Sequence, residues 1–184
     1  MTLTNHNTEQ LVMLCVSGNQ KAQMELYNRY YKGLYNTSYR IVNDSFEAED
    51  IMQESFITAF SKLDSLKDKK TFGGWLKRIV INNSIQAYNK NNKQHDVALD
   101  DVLYKVEDDQ VIDTTVEITN IKMQQVLETL NLLKSNYKVV LTLNLIEGYD
   151  YEEIGDVMNI SYANCRTMIS RAKDSLRKKL EQLN

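Results

Sequence analysis

The chain contains no proline and only six glycines among 184 residues. Few tight turns and no proline-broken helices result from that, which points to a largely helical protein and excludes proline-rich or collagen-like architectures. Cysteine is scarce too. Cys15 and Cys165 lie 150 positions apart, which excludes a disulfide framework and any metal-ligand spacing. Each falls on an apolar helical position, so both are expected as buried free thiols in a reducing compartment. The two histidines, His6 and His95, fall in segments expected to be flexible. No Ser-His-Asp, Cys-His or metal-ligating cluster accompanies them, so neither an enzyme nor a metal or cofactor is expected. No apolar run approaches 18 residues, which leaves nothing to cross a membrane. The opening MTLTNHNTEQ has neither a basic start nor an apolar stretch, so no signal peptide is expected, and the location is expected to be cytoplasmic.

The residues that are present are organised by charge. The net charge of −3 excludes a globally basic nucleic-acid binder, but the charge is unevenly placed. Residues 1–90 carry 11 basic and 9 acidic groups, residues 91–119 carry 2 and 8, and residues 120–184 carry 9 and 8. The fold class expected is all-α: two small helical domains, at 8–90 and 120–184, joined by an acidic flexible linker at 91–119.

The most informative stretch is DYEEIGDVMNISYANCRTMISRAKDSLRKKL at 150–180. Asp150, with Glu153 three residues on, is a capping-box start, and Ile154, Val157 and Met158 give the short helix an apolar face. Gly155 costs about 1 kcal/mol inside a helix and is expected to admit a second helix at close range. The pattern breaks at 159–161, and Ser161 is a suitable N-cap for a second helix. That helix places Cys165, Ile169, Ala172, Leu176 and Leu180 on one side at helical spacing. Two helices, a turn of about three residues and a small residue in the first describe a helix-turn-helix. On the second helix Arg166, Thr167, Ser170, Arg171, Lys173, Arg177 and Lys178 lie away from the apolar stripe. Cations for phosphates and short polar groups for base edges suit the major groove of DNA. Basic helix ends also suit the helix dipole, but the helix-turn-helix spacing favours DNA.

In the N-terminal half, residues 8–35 read as helix with a break at 17–19, and a second helix runs from 30 to 42. After a turn at 43–45 comes FEAEDIMQESFITAFSKL at 46–63, with Met52, Phe56, Ala59, Phe60 and Leu63 as the core face. Asp50, Gln53 and Glu54 share another face, which composition alone reads as a solvated acidic surface. A short loop at 66–71 carries Lys67, Lys69 and Lys70. Phe72, Gly73, Gly74 and Trp75 then open a fourth helix whose packed side is expected at Leu76, Ile79, Val80, Asn83 and Ala87. Aromatics among cations and amides in this segment suit either single-stranded bases or a core with its surface.

Taken together, AEDIMQESFITAF at 48–60, FGGWLKRIVIN at 72–82 and EGYDYEEIGDVMNISYANCRTMISRAKDSLRKKL at 147–180 resemble bacterial sigma factors of the small extracytoplasmic-function (ECF) type of the sigma-70 family. The resemblance implies a protein that binds core RNA polymerase and directs promoter-specific transcription initiation, with an anti-sigma factor as a further partner. It implies that Asp50, Gln53 and Glu54 dock on the coiled coil of the polymerase's largest subunit. It implies that the 66–72 loop, with Lys67, Lys69, Lys70 and Phe72, joins Asn82 in receiving a flipped base of the minus-ten element, supported by Trp75 and Arg78. Arg166, Thr167, Ser170 and Arg171 then face the minus-thirty-five element. By helix geometry, the capped start at Ser161 suits a backbone phosphate, and Lys173, Arg177 and Lys178, too far along to reach the same base pairs, are expected to touch phosphates or nothing. The acidic stretch at 91–119 is read either as a nucleic-acid mimic inside the polymerase or as a plain tether. A free-standing DNA-binding regulator needs only residues 120–184 and leaves the first ninety unexplained.

Overall fold

The computed structural model describes residues 3–95 and 117–183, and every regular element among them is helical. The chain divides into two compact units, Met1–Asn91 and Asn92–Asn184. The expectations for the acidic stretch at 96–116 lie outside the described residues. Helix enters the segment read as linker from both sides, since one helix runs to His95 and the next begins at Glu117.

The N-terminal unit is built from α1 (Thr8–Val16), α2 (Gln20–Val42), α3 (Ser45–Ser61) and α4 (Phe72–His95). Local capping sets the starts. Asn7 accepts from the Gln10 amide at 2.8 Å, while the Gln10 side chain accepts from the Asn7 amide at 3.0 Å. Asn19 and Asp44 cap α2 and α3 by accepting from the Ala22 and Glu47 amides, at 3.1 and 2.8 Å. Gly18, at φ 81°, makes the expected break after α1, and Asn43, at φ 59°, ends α2 in the left-handed region. The second break expected near residue 30 does not exist. α2 is one helix of 23 residues. Its exposed Gly33 lowers helix propensity without interrupting the hydrogen-bond ladder, and packing against α1 and α3 carries the helix through.

The core of this unit joins Leu11, Val12 and Cys15 of α1, Ala22, Leu26 and Leu34 of α2, Met52, Phe56 and Ala59 of α3, and Phe72, Leu76 and Val80 of α4. The packed side of α4 is wider than the sequence pattern indicated. Ile81, Ser84, Ile85 and Tyr88 are buried, whereas Ile79, Asn83 and Ala87 are only partly so. The reason is that α4 meets two partners. Ser84 Oγ donates to Ser38 Oγ of α2 at 2.9 Å, and Asn83 Nδ2 donates to Ser55 Oγ of α3 at 2.9 Å. All three serine hydroxyls are buried, and these bonds pin the helices in register at little desolvation cost.

The C-terminal unit contains α5 (Glu117–Asn131), α6 (Ser135–Leu141), a π-helical turn (Thr142–Ile146), α7 (Tyr151–Met158) and α8 (Tyr162–Gln182). Its core draws Leu130 and Leu133, the α6 run Val139, Val140 and Leu141, then Leu143, Ile154, Cys165, Ile169 and Ala172. Lys138 is buried among them, and burial lowers its ammonium from 10.5 to about 8. Both cysteines are buried free thiols, and burial raises both, Cys15 to about 11.

Candidate nucleic-acid interface

α7 and α8 form the helix-turn-helix expected from the sequence. Asp150 accepts from the Glu153 amide at 2.8 Å, and Glu153 returns the bond to the Asp150 amide at 3.1 Å. Asn159, at φ 56°, ends α7. The Ile160 amide then donates to the Gly155 carbonyl at 2.9 Å. A Cβ on Gly155 would sit 3.0 Å from the Ile160 carbonyl oxygen. The missing side chain therefore makes room for the backbone of the turn, not for a second helix as the sequence suggested. Ser161 caps α8 by accepting from the Asn164 amide at 3.3 Å.

Cys165, Ile169 and Ala172 are completely buried, which fixes the rotation of α8 about its axis. On the opposite side Arg166, Thr167, Ser170 and Arg171 are all exposed, as Ser161 is at the helix start. Arg166 and Ser170 are one turn apart, about 6 Å, and so are Thr167 and Arg171. The Thr167 hydroxyl donates to the Ala163 carbonyl at 2.9 Å, so it offers a lone pair and a methyl group outward. Farther along, Lys173 is half-buried and Arg177 pairs with Asp174 at 3.0 Å. Both partners of that pair are well exposed, so it opens readily in the presence of a phosphate.

In the N-terminal unit the loop at 63–71 is two short 3-10 turns, Leu63–Ser65 and Lys69–Thr71. Its lysines are not equivalent. Lys67 and Lys70 are exposed, but Lys69 turns inward and donates to the Leu63 and Leu66 carbonyls at 3.0 and 2.6 Å. Phe72 is completely buried, edge-on to Tyr30 at 5.6 Å and 6.1 Å from Trp75. Its ring belongs to the core, so it offers no face to a base, and the sequence reading misplaced it there. Trp75 is half-buried on the same cluster, whereas Arg78 and Asn82 are exposed on α4. The structure thus brings Lys67, Lys70, Arg78 and Asn82 to the surface of one segment, and it assigns Lys69 and Phe72 to holding that segment.

On α3, Asp50, Gln53 and Glu54 are exposed. Gln53 Nε2 donates to Glu49 Oε1 at 3.2 Å, and among the described residues neither Asp50 nor Glu54 joins an ion pair. Sequence reasoning missed the residues that flank them. Phe46 and Ile57 are 80% and 71% exposed. Phe46, Asp50, Gln53 and Ile57 succeed one another at spacings of four, three and four. That is heptad spacing along one exposed face of α3, apolar at both ends and polar in the middle. The spacing was readable, but Phe46 and Ile57 were not assigned to any face.

Sigma-70 region 2 matches residues 26–94, and Sigma-70, region 4 matches residues 123–176. The ECF RNA polymerase sigma factor SigW of Bacillus subtilis (strain 168) is 31% identical over 181 residues, covering 90% of this chain and 92% of the relative. The chain belongs to the ECF sigma factors of the sigma-70 family. The RNA polymerase sigma-H factor of Pseudomonas aeruginosa is also similar to this sigma factor, at 29% identity over 98% of the chain and 97% of its own length. Among solved structures, CnrH in complex with the cytosolic domain of CnrY shares the fold of this sigma factor, with a TM-score of 0.55, 22% identity and coverage of 95% and 97%. RpoE in complex with the anti-sigma factor NepR from Bartonella quintana shares it with a TM-score of 0.54, 18% identity and coverage of 86% and 96%. In this sigma factor the region 2 match spans α3 and nearly all of α4, and the region 4 match runs through the helix-turn-helix to Leu176 of α8.

Proposed function

We propose that this sigma factor docks on core RNA polymerase through the seam of α3, captures the opened minus-ten strand with the 66–82 segment, and reads the minus-thirty-five element with α8. The carrying observation is the outward arc of Arg166, Thr167, Ser170 and Arg171 above a stripe of fully buried residues, at the head of a helix capped by Ser161. On α3, Asp50, Gln53 and Glu54 supply the polar centre of a helix-on-helix contact, and Phe46 and Ile57 supply its apolar ends. In the 66–82 segment Lys67 and Lys70 meet phosphates and Asn82 hydrogen-bonds a base edge. Trp75 and Arg78 shape that surface, and Lys69 and Phe72 hold it from beneath. Lys173 and Arg177 take phosphates beyond the bases that Arg166 and Arg171 reach. Work of this kind is done in the cytoplasm. Among the described residues no helix is long and apolar enough to cross a membrane. The complex of RpoE with NepR supports an anti-sigma factor as a partner of this chain as well.

A selection over randomised minus-thirty-five elements with reconstituted polymerase tests this reading. Arg166→Ala changes the preferred sequence, with a loss of about 1–3 kcal/mol on the best site. Lys178→Ala weakens all sequences alike and slightly reduces the salt dependence. A parental preference after Arg166→Ala, with a shifted one after Lys178→Ala, refutes the docking direction.

A further inference from the structure

Residues 3–16 lie outside the Sigma-70 region 2 match at 26–94, yet they are tied to the start of α4. Two consecutive residues of α2 make the tie. Arg29 donates from Nη1 to the His6 carbonyl at 2.8 Å and from Nη2 to the Thr4 carbonyl at 2.9 Å, while its Nε pairs with Glu25 at 2.8 Å. The Tyr30 hydroxyl shares a hydrogen bond with the Thr8 hydroxyl at 3.3 Å. From there the Tyr30 ring reaches the first turn of α4 and meets Phe72 edge-on at 5.6 Å. A Cβ on Gly73 would sit 2.9 Å from Cε1 of Tyr30 and 3.1 Å from its hydroxyl oxygen. The ring therefore rests directly on the backbone at Gly73, an approach that any side chain there would obstruct. α1 also packs against both 3-10 turns, Leu63–Ser65 and Lys69–Thr71.

We infer, resting on the reading of the 66–82 segment proposed above, that Tyr30 is a positioning residue for promoter opening and that its bond to Thr8 holds it in place. α4 is pinned by the bonds of Asn83 to Ser55 and of Ser84 to Ser38, both at 2.9 Å. Those bonds lie eleven residues beyond Phe72, roughly 16 Å along the axis. A tilt about that point moves Asn82 little. It moves the first turn most, and with it the 69–71 turn that carries Lys70. Tyr30 blocks that tilt, because Gly73 has no side chain to yield and the ring is braced on buried Phe72. Arg29 fastens Thr4 and His6 to the same turn of α2, so the Thr8 hydroxyl is kept where the ring needs it. Lys67, Lys70 and Asn82 can serve one strand only at a fixed mutual spacing, and Tyr30 sets that spacing without touching DNA.

The test uses the full chain with core polymerase on a promoter duplex that carries 2-aminopurine in its minus-ten element. Fluorescence reports opening, and closed-complex affinity is measured separately in the cold. Tyr30→Leu is expected to lower opening about three- to tenfold, the contribution of one aromatic pair, with closed-complex affinity and core binding unchanged. Tyr30→Phe and Thr8→Val each remove only the shared hydrogen bond. Each lowers opening about twofold, and the two together lower it no further. Gly73→Ala lowers opening in the parent but has no added effect beside Tyr30→Leu, since the obstructing ring is gone. Should Tyr30→Leu not fold, the Tyr30→Phe and Thr8→Val pair decides. Parental opening in both members of that pair overturns the inference. So do an equal loss of closed and open complexes in Tyr30→Leu, and effects of Tyr30→Leu and Gly73→Ala that multiply. Lys67→Ala with Lys70→Ala and Asn82→Ala separates the two levels. If that variant opens the promoter as the parent does, the minus-ten reading itself fails. If it impairs opening while the Tyr30 variants do not, only the role of Tyr30 fails.

Discussion

Removing Phe46 and Ile57 from the α3 seam separates docking from folding. Fully burying a phenylalanine or isoleucine side chain is worth about 1.5–3 kcal/mol. Phe46 and Ile57 expose 80% and 71% of their surface in the free chain, so each has about 1–2.5 kcal/mol still to gain on a partner. Phe46→Ala with Ile57→Ala is expected to weaken core-polymerase binding by about 3 kcal/mol, roughly a hundredfold in Kd. The loss appears in the dissociation rate. Asp50→Ala, Gln53→Ala and Glu54→Ala together remove the polar centre of the same contact: losing two charges slows association and reduces its salt dependence, and losing their hydrogen bonds speeds dissociation. Neither set touches the core, and alanine favours helix, so unfolding of the N-terminal unit shifts by less than about 0.5 kcal/mol. Kinetics on immobilised core polymerase, with thermal unfolding of the free chain, measure both. A Kd for the Phe46/Ile57 variant within threefold of the parent refutes the seam.

Four further outcomes are expected. Gly33→Ala adds a Cβ that meets nothing within 4 Å, and stabilises the N-terminal unit by about 1 kcal/mol in urea unfolding. Gly73→Ala instead places a Cβ 2.9 Å from Cε1 of Tyr30, whose ring is braced on Phe72, and destabilises by about 1–3 kcal/mol. Lys138 has a folded pKa of about 8 against 10.5 unfolded. The unfolded state therefore holds more protons above pH 8, and stability of the C-terminal unit rises from about pH 8 to 9 by up to about 1.4 kcal/mol. Cys165, raised from 9.0, opposes part of this rise as the unfolded thiol ionises around pH 9. Urea unfolding of Lys138→Met lacks the rise; a parental pH profile in that variant refutes the assignment. Lys69→Met removes two bonds to carbonyls and loosens the 63–71 turns, detected as faster amide exchange there, whereas Lys67→Met and Lys70→Met leave exchange unchanged.

Capping and periodicity are local, and where they set the structure the sequence alone was sufficient. Asp150 with Glu153, the Asn159 to Ser161 turn and the stripe from Cys165 to Leu176 specify α7 and α8 without reference to the rest of the chain. The outward arc of α8 results from that stripe by helical geometry. Tertiary structure decided matters that depend on the surface opposite a residue. Gly33 is compatible with a broken or a continuous helix, and only packing on α1 and α3 makes α2 continuous. Phe72 and Lys69 have the composition of a nucleic-acid loop, but Tyr30 and the Leu63 and Leu66 carbonyls draw them inward. α4 buries Ile81, Ser84, Ile85 and Tyr88 because it faces both α2 and α3, which no single-helix pattern encodes. Phe46 and Ile57 read as ordinary apolar positions until the core is complete without them. Burial is a property of two surfaces, and a sequence displays one at a time.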